Sequence, residues 1–205
     1  ITQAQAGDKL HQDRGGYAIT RARRGVPLPL SFAQERMWFL YRLSPEAVAY
    51  NIPASVRLHG PLNKPALRWA VGELVRRHEA LRTTFAQVEA QPRQIIHDVL
   101  EPTWTEEDLR GVPAELREPR ALELATAEAR RPFDLEKGPL LRVFLIQLGD
   151  EDQVVILNTH HIISDQWSYG IIARELVTSY NAFCAGRPFA VQPDLAIQYA
   201  DFAQW

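Results

Sequence analysis

A single cysteine, Cys184, stands among 205 residues. One thiol cannot close an internal disulfide or build a cysteine zinc cluster, and this scarcity fits a reducing compartment, so the expected location is the cytoplasm. No apolar run approaches the roughly 20 residues of a membrane span, and the polar N-terminus has no signal-peptide core. No membrane contact is expected. Net charge is scarce as well, with 23 Lys and Arg against 25 Asp and Glu for a balance of −2. The short basic clusters, Arg21/Arg23/Arg24, Arg76/Arg77 and Arg130/Arg131, are far apart and mixed with acids, which excludes the electrostatic footprint of a nucleic-acid binder. Two kinds of catalytic motif are also missing. No H-E-x-x-H or comparable ligand spacing occurs, so no metal site is expected. No serine sits in G-x-S-x-G, the strained elbow that exposes a serine nucleophile.

Apolar residues are plentiful: at 46% hydrophobic, the chain can bury the core of one domain or one large lobe. Residues 1–27 are polar, carry Gly7, Gly15 and Gly16, and lack an apolar period, so they read as a linker from an upstream domain. From Leu28 the pattern changes. Ser31 is a helix N-cap candidate ahead of a helix over about 32–42. Ser55–His59 alternates as a half-buried strand, and Leu67, Ala70, Val71, Leu74 and Val75 mark one face of a helix ending near His78. Short segments around 81–88 and 94–97 suggest a hairpin, and the prolines and glycines of 100–120 suggest irregular structure before a helix at about 121–131. Leu140–Ile146 and Gln153–Asn158 look like adjacent central strands. Ile172, Leu176, Tyr180 and Phe183 then recur at helical spacing after Ser168, a candidate cap, and Gly186-Arg187-Pro188 ends the pattern. The expected fold class is α/β (α+β layered), a sheet with helices packed on it.

Chemistry concentrates where the strand Val154–Leu157 runs into Asn158-Thr159-His160-His161, a turn containing Asp165, and a helix. Successive strand residues point to opposite faces, so only one of the two histidines can face a given cavity. Histidine can accept a proton near neutral pH because its ordinary pKa is about 6.5. The residues alone leave two readings equal: a proton-handling site, or two structural histidines at a strand end.

A resemblance separates them. Ser31-Phe32-Ala33-Gln34-Glu35-Arg36-Met37-Trp38-Phe39-Leu40 resembles the opening S-x-A-Q-x-R-x-W-x-L signature of the condensation domains of nonribosomal peptide synthetases. Arg77 to Phe85 resembles their R-H-E-x-L-R-T-x-F signature, His160 to Ser168 their H-H-x-x-x-D-G-x-S signature, and Tyr199 to Trp205 their Y-x-D-(Y/F)-A-x-W signature. The likeness covers about residues 28–205 and departs at Gln166, where the family usually has glycine. It implies the chloramphenicol acetyltransferase-like fold, of which 28–205 would be the N-terminal lobe, a mixed sheet covered by helices.

The resemblance also implies an activity. Donor and acceptor peptidyl carrier proteins would bring their substrates on phosphopantetheine arms, with no cofactor bound directly, and an amide (peptide) bond would form between them. His161 would be catalytic, either accepting the proton of the attacking amine or holding that amine. His160, Asp165 and Arg82 would support the site, with an Asp165–Arg82 ion pair expected. Gln166, Trp167 and Ser168 would be near the substrate, although Trp167 could equally pack in the turn. His78 reads as a helix-end residue, Met37 and Trp38 as helix packing, and Cys184 as inert. The C-terminal lobe of the same domain and adjacent synthetase domains are the other implied partners, and without the second lobe this one is expected to be inactive. Two rival readings are a coenzyme A- or carrier-dependent acyltransferase of the same superfamily and a non-catalytic module that recruits a partner.

Overall fold

The structure, a computed structural model, describes residues 18–187 and 192–205. Its elements follow in the order β1 (Leu28–Pro29), α1 (Phe32–Leu43), β2 (Asn51–His59), α2 (Lys64–Arg77), a 3₁₀ turn (Glu79–Arg82), β3 (Thr83–Val88) and β4 (Gln91–Ile96). After these come β5 (Thr103–Asp108), α3 (Ala114–Ala129), β6 (Leu141–Gly149), β7 (Asp152–His160), α4 (Gln166–Cys184) and α5 (Tyr199–Gln204). Four strands form the main sheet in the order β2-β7-β6-β5, antiparallel except for the β5–β6 pair. A smaller antiparallel sheet joins β1, β4 and β3.

The alternation of β6 and β7 sets the layers. Leu141, Val143, Leu145 and Val155 bury one face in the large core beneath α2 and α4, while Phe144, Ile146, Leu148 and Ile156 bury the other against α3. Both faces being covered explains why these strands read as continuous apolar runs rather than as alternating ones. Edge strands have less to bury. Pro53 sits within β2, at the sheet edge, where its missing N–H costs no ladder bond between two neighbours.

Local chemistry starts the helices. Ser31 caps α1 in a reciprocal box with Gln34, and Asn63 caps α2 by accepting the Ala66 N–H at 3.0 Å. The stretch 100–120 differs from expectation. It holds β5 and the first turns of α3, with Pro119 inside the helix. β5 escapes notice in the sequence because it is a polar edge strand: Trp104 lies under the Arg68 guanidinium at 4.3 Å, and Glu106 is held by Lys64 and Arg68. Pro119 is exposed in the second turn, so its missing N–H frees only the solvent-facing carbonyl of Glu115.

The last residues of the expected linker lie within the described part of the chain. Ala22 is buried and donates its N–H to Asp201 at 2.8 Å, and Arg24 pairs with Glu79 and Asp201. Residues 21–24 are thus docked on the lobe. Residues 1–17 lie outside the described residues.

A buried ion pair ties α3 to the sheet. Arg142 of β6, 4% exposed, donates to Glu128 at 2.5 Å, to the Arg131 carbonyl at 2.6 Å and to the Pro132 carbonyl at 3.1 Å. Its guanidinium also lies 3.7 Å from the centre of the Phe133 ring. Removing Arg142 leaves the buried Glu128 carboxylate with only the half-exposed Arg131 at 3.5 Å, so Arg142→Met is expected to lower unfolding free energy by about 3–5 kcal/mol. Urea melts measure this. A loss below about 1 kcal/mol, the scale of an exposed pair, would contradict it.

Candidate active site

The two histidines at the end of β7 go to opposite sides of the sheet. His160 follows Ile156 and Asn158 toward the α3 side, where it is 3% exposed between Phe133 and Tyr50. Its Nδ1 accepts the Ile162 N–H at 3.1 Å, so the ring proton of the neutral form is on Nε2. Burial, and secondarily the neighbouring His161, lowers its pKa to about 4. It stays uncharged at neutral pH. His161 emerges on the other side, with its backbone N–H donating to the Tyr50 carbonyl at 2.8 Å. Its Nδ1 lies 2.8 Å from the carbonyl of Ser164. A carbonyl can only accept, so Nδ1 carries the proton and Nε2 keeps the lone pair.

The turn that supplies this carbonyl is braced from three directions. Ser164 shares a 2.5 Å hydrogen bond with Thr159, Thr159 shares another with Tyr169 of α4, and Gln34 of α1 donates to the Ile162 carbonyl at 3.4 Å. Asp165 ends the turn as the cap of α4. Its carboxylate accepts the Ser168 N–H at 2.8 Å and the Ser168 hydroxyl at 2.6 Å, and these bonds hold it below the usual carboxylate range.

The expected Asp165–Arg82 ion pair is not formed. Arg82 instead donates to the carbonyl of His97 in the neighbouring strand region and lies 3.8 Å from Glu79, so it fastens the hairpin. Asp165 needs no guanidinium because it is solvent-exposed and already used by the helix N-terminus. Ser168, read as a cap in the sequence, is the N3 partner of the capping box. Gln166 is the first helical residue and does not occupy the left-handed region, so the backbone places no demand for glycine there.

A cavity of about 420 Å³ opens beside His161. Each of the four signature segments supplies part of its wall: Gln34, Arg36 and Met37 from α1, His78 and Leu81 around the 3₁₀ turn, His161, Asp165 and Ser168 from the turn into α4, and Tyr199 from α5. Segments far apart in sequence are held together by side chains, as where the Tyr199 and Ser31 hydroxyls share a 2.9 Å hydrogen bond. Arg82, Gln166 and Trp167 are not in the wall, and Trp167 is 82% exposed. His160 lies behind it. Sequence reasoning missed Glu175, a buried carboxylate on α4 that binds His78 at 2.7 Å and Arg77 at 2.5 Å. The only signal was an acid within the apolar face of a helix. Among the described residues no group of three His, Cys, Asp or Glu side chains could hold a metal ion, and no helix is long and apolar enough to cross a membrane.

This geometry sets two measurable outcomes. The His160 pKa is lower in the folded chain than in the unfolded one, so stability is full above pH 6.5 and falls as pH drops toward 4. The loss reaches about 3 kcal/mol, and His160→Asn should flatten that slope in melts at pH 4.5, 5.5 and 7. For the turn, Asp165→Ala should cost about 1 kcal/mol, the scale of a lost helix cap. It should add to the cost of Arg82→Ala, since separate sites do not couple. A coupling above about 1 kcal/mol in the double mutant would restore the direct ion pair.

Comparison with known proteins gives the same assignment. The condensation domain family model matches residues 27–205. One of the linear gramicidin synthase proteins of Brevibacillus parabrevis is 49% identical over 185 residues, covering 89% of this chain and 2% of that protein. Phosphinothricin tripeptide synthetase PhsC of Streptomyces viridochromogenes is 47% identical over 179 residues, 87% of this chain and 16% of its own length. Among solved structures, the X-domain from teicoplanin biosynthesis superposes with a TM-score of 0.78 at 30% identity, covering 91% of this chain and 39% of that one. The starter condensation domain of rhizomide synthetase RzmA superposes at 0.74 and 22% identity, a likeness of fold, over 84% of this chain and 42% of that one. The chain thus spans less than half of these two structures and a small part of these relatives. It belongs to the condensation domain family of nonribosomal peptide synthetases, with residues 27–205 corresponding to the N-terminal lobe.

Proposed function

We propose that this chain contributes the histidine-bearing wall of an amide-forming site. In this reading an acceptor amine on one carrier protein attacks a donor thioester on another, and both substrates arrive on phosphopantetheine arms. The observation that carries the reading is the 2.8 Å contact of His161 Nδ1 with the Ser164 carbonyl, which sets the tautomer of the neutral ring. With Nδ1–H committed to Ser164, the free Nε2 lone pair belongs to a side chain that lines the cavity. Such a nitrogen can accept an amine N–H as the carbon–nitrogen bond forms, either taking the proton or holding the positively charged amine in place.

His160 and Asp165 act on His161 indirectly, one by fixing the strand end and the other by starting α4. Of Gln166, Trp167 and Ser168, only Ser168 lines the cavity, which supports a contact with substrate for it. The site is completed by the second lobe of the domain, and further synthetase domains hold the carrier proteins nearby. The work takes place in the cytoplasm. Kinship with linear gramicidin and phosphinothricin tripeptide synthetases supports a peptide product.

In the complete domain, His161→Ala is expected to slow single-turnover amide formation from loaded carriers by about 10²–10⁴-fold while leaving the melt unchanged. A near-normal rate would make the histidine structural, and carrier binding without turnover in the wild type would favour a recruitment module. The 205-residue chain alone is expected to melt cooperatively and to form no amide. Robust turnover by it would sink the half-site reading.

A further inference from the structure

His78 shares the cavity with His161 and carries a partner that a helix-end residue does not need. Its backbone N–H closes α2 by donating to the Leu74 carbonyl at 2.9 Å, a task for any residue but proline. Its ring does something else. Nε2 lies 2.7 Å from one oxygen of Glu175, whose other oxygen lies 2.5 Å from the Arg77 guanidinium. Glu175 is 5% exposed and already neutralised by Arg77, so the imidazole is not required to satisfy it. A guanidinium does not give up its proton and a carboxylate only accepts, so Nε2 of neutral His78 carries the hydrogen. Nδ1 then holds a lone pair, and it makes no hydrogen bond among the described residues.

We infer that His78, backed by Glu175, is a second proton acceptor of the cavity, which strips the acceptor ammonium before attack and leaves His161 to serve the attack itself. This rests on the amide-forming reading above. An α-amino group has an ordinary pKa of about 7.7–8.0, so at neutral pH it arrives mostly as ammonium, with no lone pair to attack. Two protons must therefore leave the nitrogen. His161 has one free ring nitrogen and holds one proton at a time. In the first step an ammonium N–H bond breaks and the proton passes to Nδ1 of His78. The resulting imidazolium is stabilised by the Glu175 carboxylate and later loses its proton to solvent. The freed lone pair then forms the C–N bond at the thioester carbonyl, the C–S bond breaks, and the second proton passes through Nε2 of His161 to the departing thiolate. Ammonium and thioester give amide, thiol and one released proton.

The charges facing His78 permit this. Arg77, with Nη1 at 3.5 Å, and Glu175 are in direct contact, and Arg36 from α1, Asp165 and His161 share the cavity. Two guanidiniums and two carboxylates are thus among the charged groups around the ring.

The test is single-turnover amide formation by the complete domain between pH 6 and 9, with preloaded donor and acceptor carriers, for wild type, His78→Gln, Glu175→Gln and His161→Ala. Glutamine keeps a donor for Glu175 but does not titrate. His78→Gln is expected to be about 15–30-fold slow at pH 6.5, the shortfall of neutral α-amine there, and to approach wild type above about pH 8.5, where the amine is neutral unaided. His161→Ala should be slow throughout. A His78→Gln loss equal at every pH, or no loss, overturns this role while leaving His161 in place. A wild-type domain forming no amide at any pH overturns the amide reading and this role together. The ring tautomer of His78 in the unmodified chain, read from ¹⁵N shifts, decides independently of any variant's folding: Nε2–H supports the role, and Nδ1–H in the neutral ring overturns it.

Discussion

Adjacent residues of a β-strand cannot share a face, and the end of β7 turns that constraint into a site. His160 is driven into the lobe because the residues two and four before it already face α3, and the same parity puts His161 on the cavity side. A slip of one residue would exchange them. It would also carry Asn158 away from the carbonyl of Glu128, to which it donates at 3.0 Å, and bury its amide among the leucines of the other face. Pairing with β2 on one side and β6 on the other, together with this buried amide, holds the register. The two histidines therefore differ through position, not through chemistry.

A polar network links the N-terminal segment to the elements around the cavity. Ala22 and Arg24 from the N-terminal segment bind Asp201, Asp201 accepts the Gln198 N–H at 2.8 Å, and Gln198 donates to the Arg77 carbonyl at 2.9 Å. Burial alone would raise the Asp201 carboxyl. Arg24 and the backbone N–H groups outweigh it and hold the group below the usual carboxylate range. From Arg77 the network continues to Glu175 of α4 and so to His78. Polar networks of this kind are directional where hydrophobic contact is not, and this one ties together α5, the 3₁₀ turn and α4.

Much of this was legible in the sequence. The layered class, the central strand pair and the helices at 32–42 and before His78 follow from periods of 3.6 and 2 and from caps. The opposition of His160 and His161 follows from the strand alone. What escaped was information carried by single long-range partners. β5 has no fully buried residue and is stabilised by Lys64 and Arg68 of a distant helix, so its own composition reads as a loop. Residues 21–24 look like a linker because their partners, Glu79 and Asp201, lie far along the chain. The Asp165–Arg82 pairing was inferred from two signatures that do come near one another, as the wall of one cavity shows. Proximity of segments did not specify partners, and a helix cap three residues away offered the carboxylate a closer donor.

The hydrogen bond from His161 to Ser164 matters for either role proposed for His161 in amide formation. A neutral imidazole free to turn over would present an N–H to an incoming amine as often as a lone pair, and an N–H facing an ammonium is repulsive. Ser164 is buried, and its carbonyl is held by a turn braced through Thr159, Tyr169 and Gln34, so the donor orientation at Nδ1 is set before substrate arrives. The same bond survives when Nε2 gains a proton, because Nδ1–H remains a donor, and it strengthens as the ring becomes charged. A base that keeps its anchor through both protonation states needs no rearrangement during the reaction, which is the condition under which a fixed dipole contributes most. The braced turn is therefore as much a part of the proposed chemistry as the imidazole it orients, although none of its other side chains carries a transferable proton at neutral pH.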